Sequence, residues 1–150
     1  MEPEITVVDI AAGNAAVMRA RVAMRDIPRA IMPLVDRVWQ FVRAGGVPAH
    51  GHNIWIYHHR EDGEIDVEVG VQVFAPFPDR DGVVATRTPA GRAAHVVHFG
   101  DYAGLPAVHA AMYEWCRDNG QARAGVNWEV YGDMDADPAK RRCDVYHLLK

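Results

Sequence analysis

Two glutamates, a tryptophan and three tyrosines offer the most chemistry in this sequence: Trp55, Tyr57, Glu68, Glu129, Tyr131 and Tyr146. All six fall in short segments with strand-like composition, where residues two apart share a face. Gathered on one surface, aromatic walls around a carboxylate suit a flat apolar ligand, and above all a cationic one, through stacking, cation–π attraction and charge pairing. A carboxylate in such walls can instead have its pKa raised and serve as a general acid or base. On that alternative Glu129 or Glu68 activates water, and Tyr131 or Tyr146 donates a hydrogen bond to the leaving group.

Other chemistries find less support. Six of the eight histidines, His50, His52, His58, His59, His95 and His98, invite a metal reading. In strands, however, His58 and His59 point to opposite faces, as do His95 and His98, and there is no H-E-x-x-H pattern. No metal and no cofactor are expected. The chain contains no serine, which removes a serine triad. Cys116 and Cys143 stand far apart outside any C-x-x-C pattern and read as free thiols. Gly45-Gly46 lacks the lysine of a phosphate-binding loop.

The elements that must position these residues come in two copies. Val22 and Val96, Trp39 and Tyr113, Phe41 and Trp115, Gly46 and Gly120, Asn53 and Asn127, and Tyr57 and Tyr131 all repeat at an offset of 74. Beyond Tyr131 the offset becomes 78, aligning Asp66-Val67 with Asp144-Val145, so the second copy carries a longer turn in the polar loop around Pro138. Strands are predicted at 19–24, 53–58 and 65–73, and again at 92–99, 127–131 and 143–149. Amphipathic helices are predicted at 32–44, with Pro33 in the first turn, and at 105–119, each stopped by glycine. The short turn at Arg60-Glu61-Asp62-Gly63 marks a hairpin, hence antiparallel pairing. The segments 5–10 and 82–88 would each add one more strand.

The expected fold is therefore α+β: a duplicated β-α-β-β module, with pseudo-repeats at about 5–75 and 82–150, forming an antiparallel sheet. Two helices cover one face and a ligand groove lies on the other. Alternation places Ile54, Ile56, Val67, Val69 and Val71, with Trp128, Val130 and Val145 of the second copy, against the helices. The six candidate residues would then share the free face, an apolar patch of the kind that marks binding. Between the copies Trp55 is replaced by Glu129 and Glu68 by Tyr146, and that asymmetry is where a ligand is expected.

Composition agrees with one globular domain. The chain has 150 residues, 49% hydrophobic and 24% charged, with no apolar run near the ~20 residues that cross a bilayer. The acidic start Met1-Glu2-Pro3-Glu4 does not resemble a secretory signal, so a cytoplasmic protein without membrane contact is expected. A net charge of -4 speaks against direct nucleic-acid binding.

Several motifs together resemble a known family. Thr88-Pro89-Ala90-Gly91-Arg92, His98-Phe99-Gly100-Asp101-Tyr102-Ala103-Gly104-Leu105, Tyr113-Glu114-Trp115 and Asn127-Trp128-Glu129-Val130-Tyr131 look like the GyrI-like small-molecule-binding domain, or bacterial effector-binding domain. Asp66-Val67-Glu68-Val69-Gly70-Val71 resembles the matching first half. The resemblance implies the ligand sensor of multidrug-responsive transcription regulators, here standing alone, with Glu129 as the glutamate that pairs with cationic aromatic ligands. It also implies two alternatives: a hydrolase of strained electrophilic small molecules using the same groove, or a protein that engages gyrase or a regulator. A small hydrophobic or cationic aromatic ligand is the expected partner, with a protein partner or homodimer as further options.

Overall fold

The computed structural model describes residues 4–150, and these form two compact units. One unit is Ala12–Thr88; the other joins the residues up to Ala11 to Pro89–Lys150. The architecture is α+β, with antiparallel strands throughout and one long helix in each unit.

In the Ala12–Thr88 unit the chain runs through β2 (Asn14–Ala23), α1 (Ile27–Arg43), β3 (His50–His59), β4 (Glu64–Val73) and β5 (Val84–Arg87). Its strand order is β3-β4-β2-β5. The other unit contains β1 (Thr6–Ile10), β6 (Gly91–Phe99), α2 (Leu105–Asp118), β7 (Arg123–Tyr131) and β8 (Arg142–Leu149), in the order β1-β6-β8-β7. The two added strands are thus exchanged relative to the sequence repeats. Strand β1 pairs with β6 of the second copy, and β5 pairs with β2 of the first. Both are short, and nothing in the composition of a short strand says which edge it completes.

Helix α1 starts five residues earlier than the pattern suggested, at Ile27, with Pro28 in its first turn and Pro33 inside the helix. Ile31, Val35, Val38, Phe41 and Val42 form its buried stripe. Gly45, at φ 82, ends it in the left-handed conformation, and the Gly46 N–H closes onto the Phe41 carbonyl at 3.0 Å. Helix α2 closes in the same way: Gly120 has φ 65 and the Gln121 N–H reaches the Cys116 carbonyl at 2.8 Å. One polar contact also repeats between helix and sheet. Trp39 Nε1–H donates to Asn53 Oδ1 at 2.8 Å, and at the equivalent positions Asn127 Nδ2–H donates to the Tyr113 hydroxyl at 2.9 Å.

The strand ladders correct the facing of the candidate residues. Trp55 lies opposite Val69 and Tyr57 opposite Val67, so both aromatics belong with the valines on the α1 side, while Ile54 and Ile56 pair with Gly70 and Glu68 on the other. In the second unit Glu129 lies opposite Val145 and Tyr131 opposite Cys143, whereas Trp128 pairs with Tyr146. Alternation was right along each strand and wrong between strands, because both faces of the β3–β4 hairpin are buried. Ile54 and Ile56 are 2% and 0% exposed, like Val67, Val69 and Val71 on the opposite face. Hydrophobicity therefore cannot choose the parity, and the hairpin register does.

Candidate functional site

The six candidate residues divide by face. Trp55 and Tyr57 pack against the α1 cluster of Ile31, Val35 and Val69. Glu129 and Tyr131 point toward α2 and its preceding 3-10 turn, while Glu68 and Tyr146 occupy the faces turned away from the helices. The expected single free surface bearing all six is thus not formed within either unit.

Beneath α2 the sequence builds a buried polar cluster. Glu129 is 4% exposed. Its Oε1 accepts the Tyr131 hydroxyl at 2.8 Å and its Oε2 meets His109 Nε2, from α2, at 2.9 Å. The other nitrogen of that ring, Nδ1, lies 2.8 Å from Nε2 of His147, which is fully buried on β8. The edge of Tyr102 packs on Tyr131 at 5.1 Å between centroids, and Tyr113 packs on His147 at 4.9 Å. Cys143 lies opposite Tyr131, and burial, reinforced by the negative charges of Glu129 and Asp144, pushes its thiol far upward, so it is a neutral wall of this site. A buried carboxylate costs several kcal/mol unless charge-assisted hydrogen bonds hold it, which is the work of His109 and Tyr131 here.

The sequence names Glu129 and Tyr131 as candidates, whereas His109 and His147, which the structure brings to Glu129, are not among them. The signal was present in the repeat. The counterpart of His109 is Val35, that of His147 is Val69 and that of Glu129 is Trp55, so three helix-facing apolar positions of one copy become ionisable in the other.

The faces turned away from the helices carry a different kind of carboxylate. Glu68 accepts from Arg19 Nε at 2.9 Å and Thr86 Oγ1 at 2.8 Å and meets His58 Nε2 at 2.8 Å. Burial alone would raise its pKa, but the hydrogen bonds from His58, Arg19 and Thr86 outweigh it and hold the carboxyl at about 2. Glu68 borders a shallow depression of about 600 Å³ with Arg19, Arg21, His58 and Asp66. In the other unit burial again opposes, and His95 and Arg142 win, holding Asp144 at about 2. Beside it the rings of Trp128, Tyr146 and His95 form a stack, with successive centroids 4.9 and 4.6 Å apart. A carboxylate committed to three donors and held well below the usual carboxylate range is a weak proton acceptor.

No group of three or more His, Cys, Asp or Glu among the described residues is arranged to hold a metal ion. No helix among them is long and apolar enough to cross a membrane.

A repeated helix-on-antiparallel-sheet unit defines a duplicated α+β domain, and solved structures share that fold. The C-terminal domain of EcmrR superposes with a TM-score of 0.79 at 19% identity, covering 100% of this chain and 99% of that one. In the EcmrR–DNA complex the match covers 99% of this chain and 57% of the EcmrR chain. SAV2435 bound to tetraphenylphosphonium gives a TM-score of 0.70 at 12% identity, covering 100% and 94%. A hydrolase from Listeria innocua gives 0.61 at 10% identity, covering 98% and 92%. No curated protein matches at the sequence level. The model of the GyrI-like small molecule binding domain matches residues 3–150, and the chain belongs to that family.

Proposed function

We propose that this domain binds hydrophobic, cationic aromatic small molecules, with Glu129 as the counter-charge and Tyr131 as an aromatic wall. The observation that carries this reading is the buried Glu129 carboxylate, held by His109 and Tyr131 at the place where the other copy of the fold puts Trp55. An apolar residue there builds a sound helix-sheet contact, as the first copy demonstrates, so the fold itself does not require a charge. A quaternary organic cation such as a tetraarylphosphonium lacks hydrogen-bond donors and is poorly hydrated, so a buried carboxylate flanked by rings suits it better than it suits a metal ion or ammonium. The small-molecule-binding family and the tetraphenylphosphonium bound to a fold relative support the same ligand class. Trp55 and Tyr57 support α1 in this reading, and within the unit of Glu129 the Tyr146 side chain lies on the face turned away from the carboxylate. Calorimetric titration with tetraphenylphosphonium should show Glu129→Gln binding about 30- to 100-fold more weakly, the ~2–3 kcal/mol of a buried charge pair. Equal affinity in the variant would overturn the assignment.

A second reading is favoured by the linked Glu129, His109 and His147 side chains. Such a chain can take a proton from water attacking a strained electrophilic ring, with Tyr131 donating to the leaving oxygen. Mass spectrometry on a panel of epoxides decides it: unchanged substrate means a binder, and a product gaining one water that disappears in Glu129→Gln means a hydrolase.

A further inference from the structure

The His109–His147 contact has a property the ligand reading does not use. With Glu129 as the carboxylate, His109 Nε2–H must donate to it, and the 2.8 Å between His109 Nδ1 and His147 Nε2 then needs one proton. That proton can sit on either side. If His109 is neutral, His147 Nε2–H donates to it; if His109 is the imidazolium, its own Nδ1–H donates to His147. Both hydrogen bonds survive in both states, so the pair gains or loses one proton without rearranging. The two rings lie edge to edge, with centroids 5.1 Å apart and planes inclined by 29°, as a nearly in-plane bond between ring nitrogens requires.

Resting on the reading of Glu129 as the counter-charge, we propose that His109 and His147 are part of the ligand site and work as a proton-exchange pair: an organic cation enters beside Glu129 and one proton leaves. In the protonated state of the ligand-free pair, the imidazolium of His109 is the positive charge that accompanies the buried carboxylate. A second cation a few ångströms away in a low-dielectric site repels it strongly. The Nδ1 proton of His109 then crosses to Nε2 of His147, and His147 gives up its Nδ1 proton, ultimately to solvent. The cation replaces the proton charge for charge. Neutral aromatic compounds gain nothing from this exchange, so the pair makes selection for cations dependent on pH.

The groups around the pair leave its titration distinct. From β7 come Tyr131 and, over the Tyr113 ring at 4.2 Å, Arg123; from β8, Cys143, with Asp144 on the reverse face; from α2, Tyr113; from β6, His98; and from the 3-10 turn, Tyr102 with Arg141 over it at 5.7 Å. Burial raises Cys143 and Tyr102, and Asp144 stays ionised. Of these neighbours His98 alone is of a type that changes charge between pH 5 and 8.

Calorimetry with tetraphenylphosphonium in buffers of different ionisation heat, from pH 5.5 to 8, counts the protons. The expected result is close to one proton released per cation at the acid end and none at the alkaline end. Affinity should rise toward tenfold per pH unit before levelling, while the neutral triphenylphosphine oxide shows no trend. His109→Gln, which keeps a donor toward Glu129, should abolish both release and pH dependence, and His98→Gln should leave both intact. Cation binding without proton release, or release that persists in His109→Gln, overturns the proposal. If tetraphenylphosphonium does not bind at all, the ligand reading fails, and nitrogen NMR of the ligand-free protein judges the pair separately. One proton taken up jointly by His109 and His147 between pH 8 and 5 upholds the exchange pair; two independent titrations overturn it.

Discussion

Where helix meets sheet, the Ala12–Thr88 unit carries Val35, Trp55, Tyr57 and Val69, and the other unit carries His109, Glu129, Tyr131 and His147 at the equivalent places. Tyrosine is common to both copies; the other three positions exchange an apolar side chain for an ionisable one. The surrounding frame hardly notices, since both units keep the glycine-capped helix, the Trp39–Asn53 or Tyr113–Asn127 bond and the central hairpin. The difference teaches that the buried ionisable side chains come here as a linked set rather than singly. Glu129, His109, His147 and Tyr131 satisfy one another, and any one of them transplanted alone would be an unpaired polar group in a dry contact.

The strongest way to break the comparison is to put one charge into the apolar copy. Val69→Asp, at the counterpart of His147, should cost about 3–5 kcal/mol in urea unfolding, because Ile31, Val35 and Leu34, which surround the site, are apolar and offer no countercharge. A loss under about 1 kcal/mol would show that the apolar copy can also shelter charge. On the opposite faces the copies are alike in holding an ionised carboxylate, and Glu68 tests that through pH. Its folded pKa of about 2 lies below the ordinary 4.5, so its contribution is complete above pH 4.5 and disappears as pH falls toward 2. Since Arg19 and His58 are about half exposed, about 1–2 kcal/mol is expected rather than the full linkage value. Glu68→Gln should be less stable than the wild type at pH 7 and converge with it near pH 2, as followed by chemical denaturation across that range.

The smallest effects sharpen the same pairing. Arg21–Asp66 and His95–Asp144 occupy equivalent positions, but the first pair is 54% and 38% exposed and the second 19% and 17%. Arg21→Ala should therefore cost under about 0.5 kcal/mol and be masked by salt, while His95→Ala, which also loses the ring stack on Tyr146, should cost about 1 kcal/mol and persist in 0.5 M salt. Thermal unfolding at low and high salt separates the two.

Much of the fold was legible in the sequence, because the 74-residue offset aligned strand, helix and hairpin in both copies and identified the α+β class. The second helix was placed to within a residue, its pattern being bounded by Pro106 and Gly120. The first began earlier than expected, since Pro33 looked like a first-turn proline while Pro28 fills that role. Of the site, Glu129 and Tyr131 were reachable through the repeat and the family resemblance. His109 was not, because one histidine on an amphipathic helix carries no mark of what it faces, and His147 lay on a strand whose partner face was undecided.

The amino-acid order by itself determined that a strand-helix-hairpin unit occurs twice and that Trp55 corresponds to Glu129. It also determined which side chains share a face within any one strand. Tertiary structure decided the rest: that β1 and β5 change partners, that Trp55 and Glu129 lie under the helices, and that Glu129 meets two histidines from α2 and β8. The physical reason is that side-chain alternation is a property of one strand, whereas facing between strands depends on register. Where both faces of a hairpin are buried, hydrophobicity is silent about register, and only the ladder of backbone hydrogen bonds sets it.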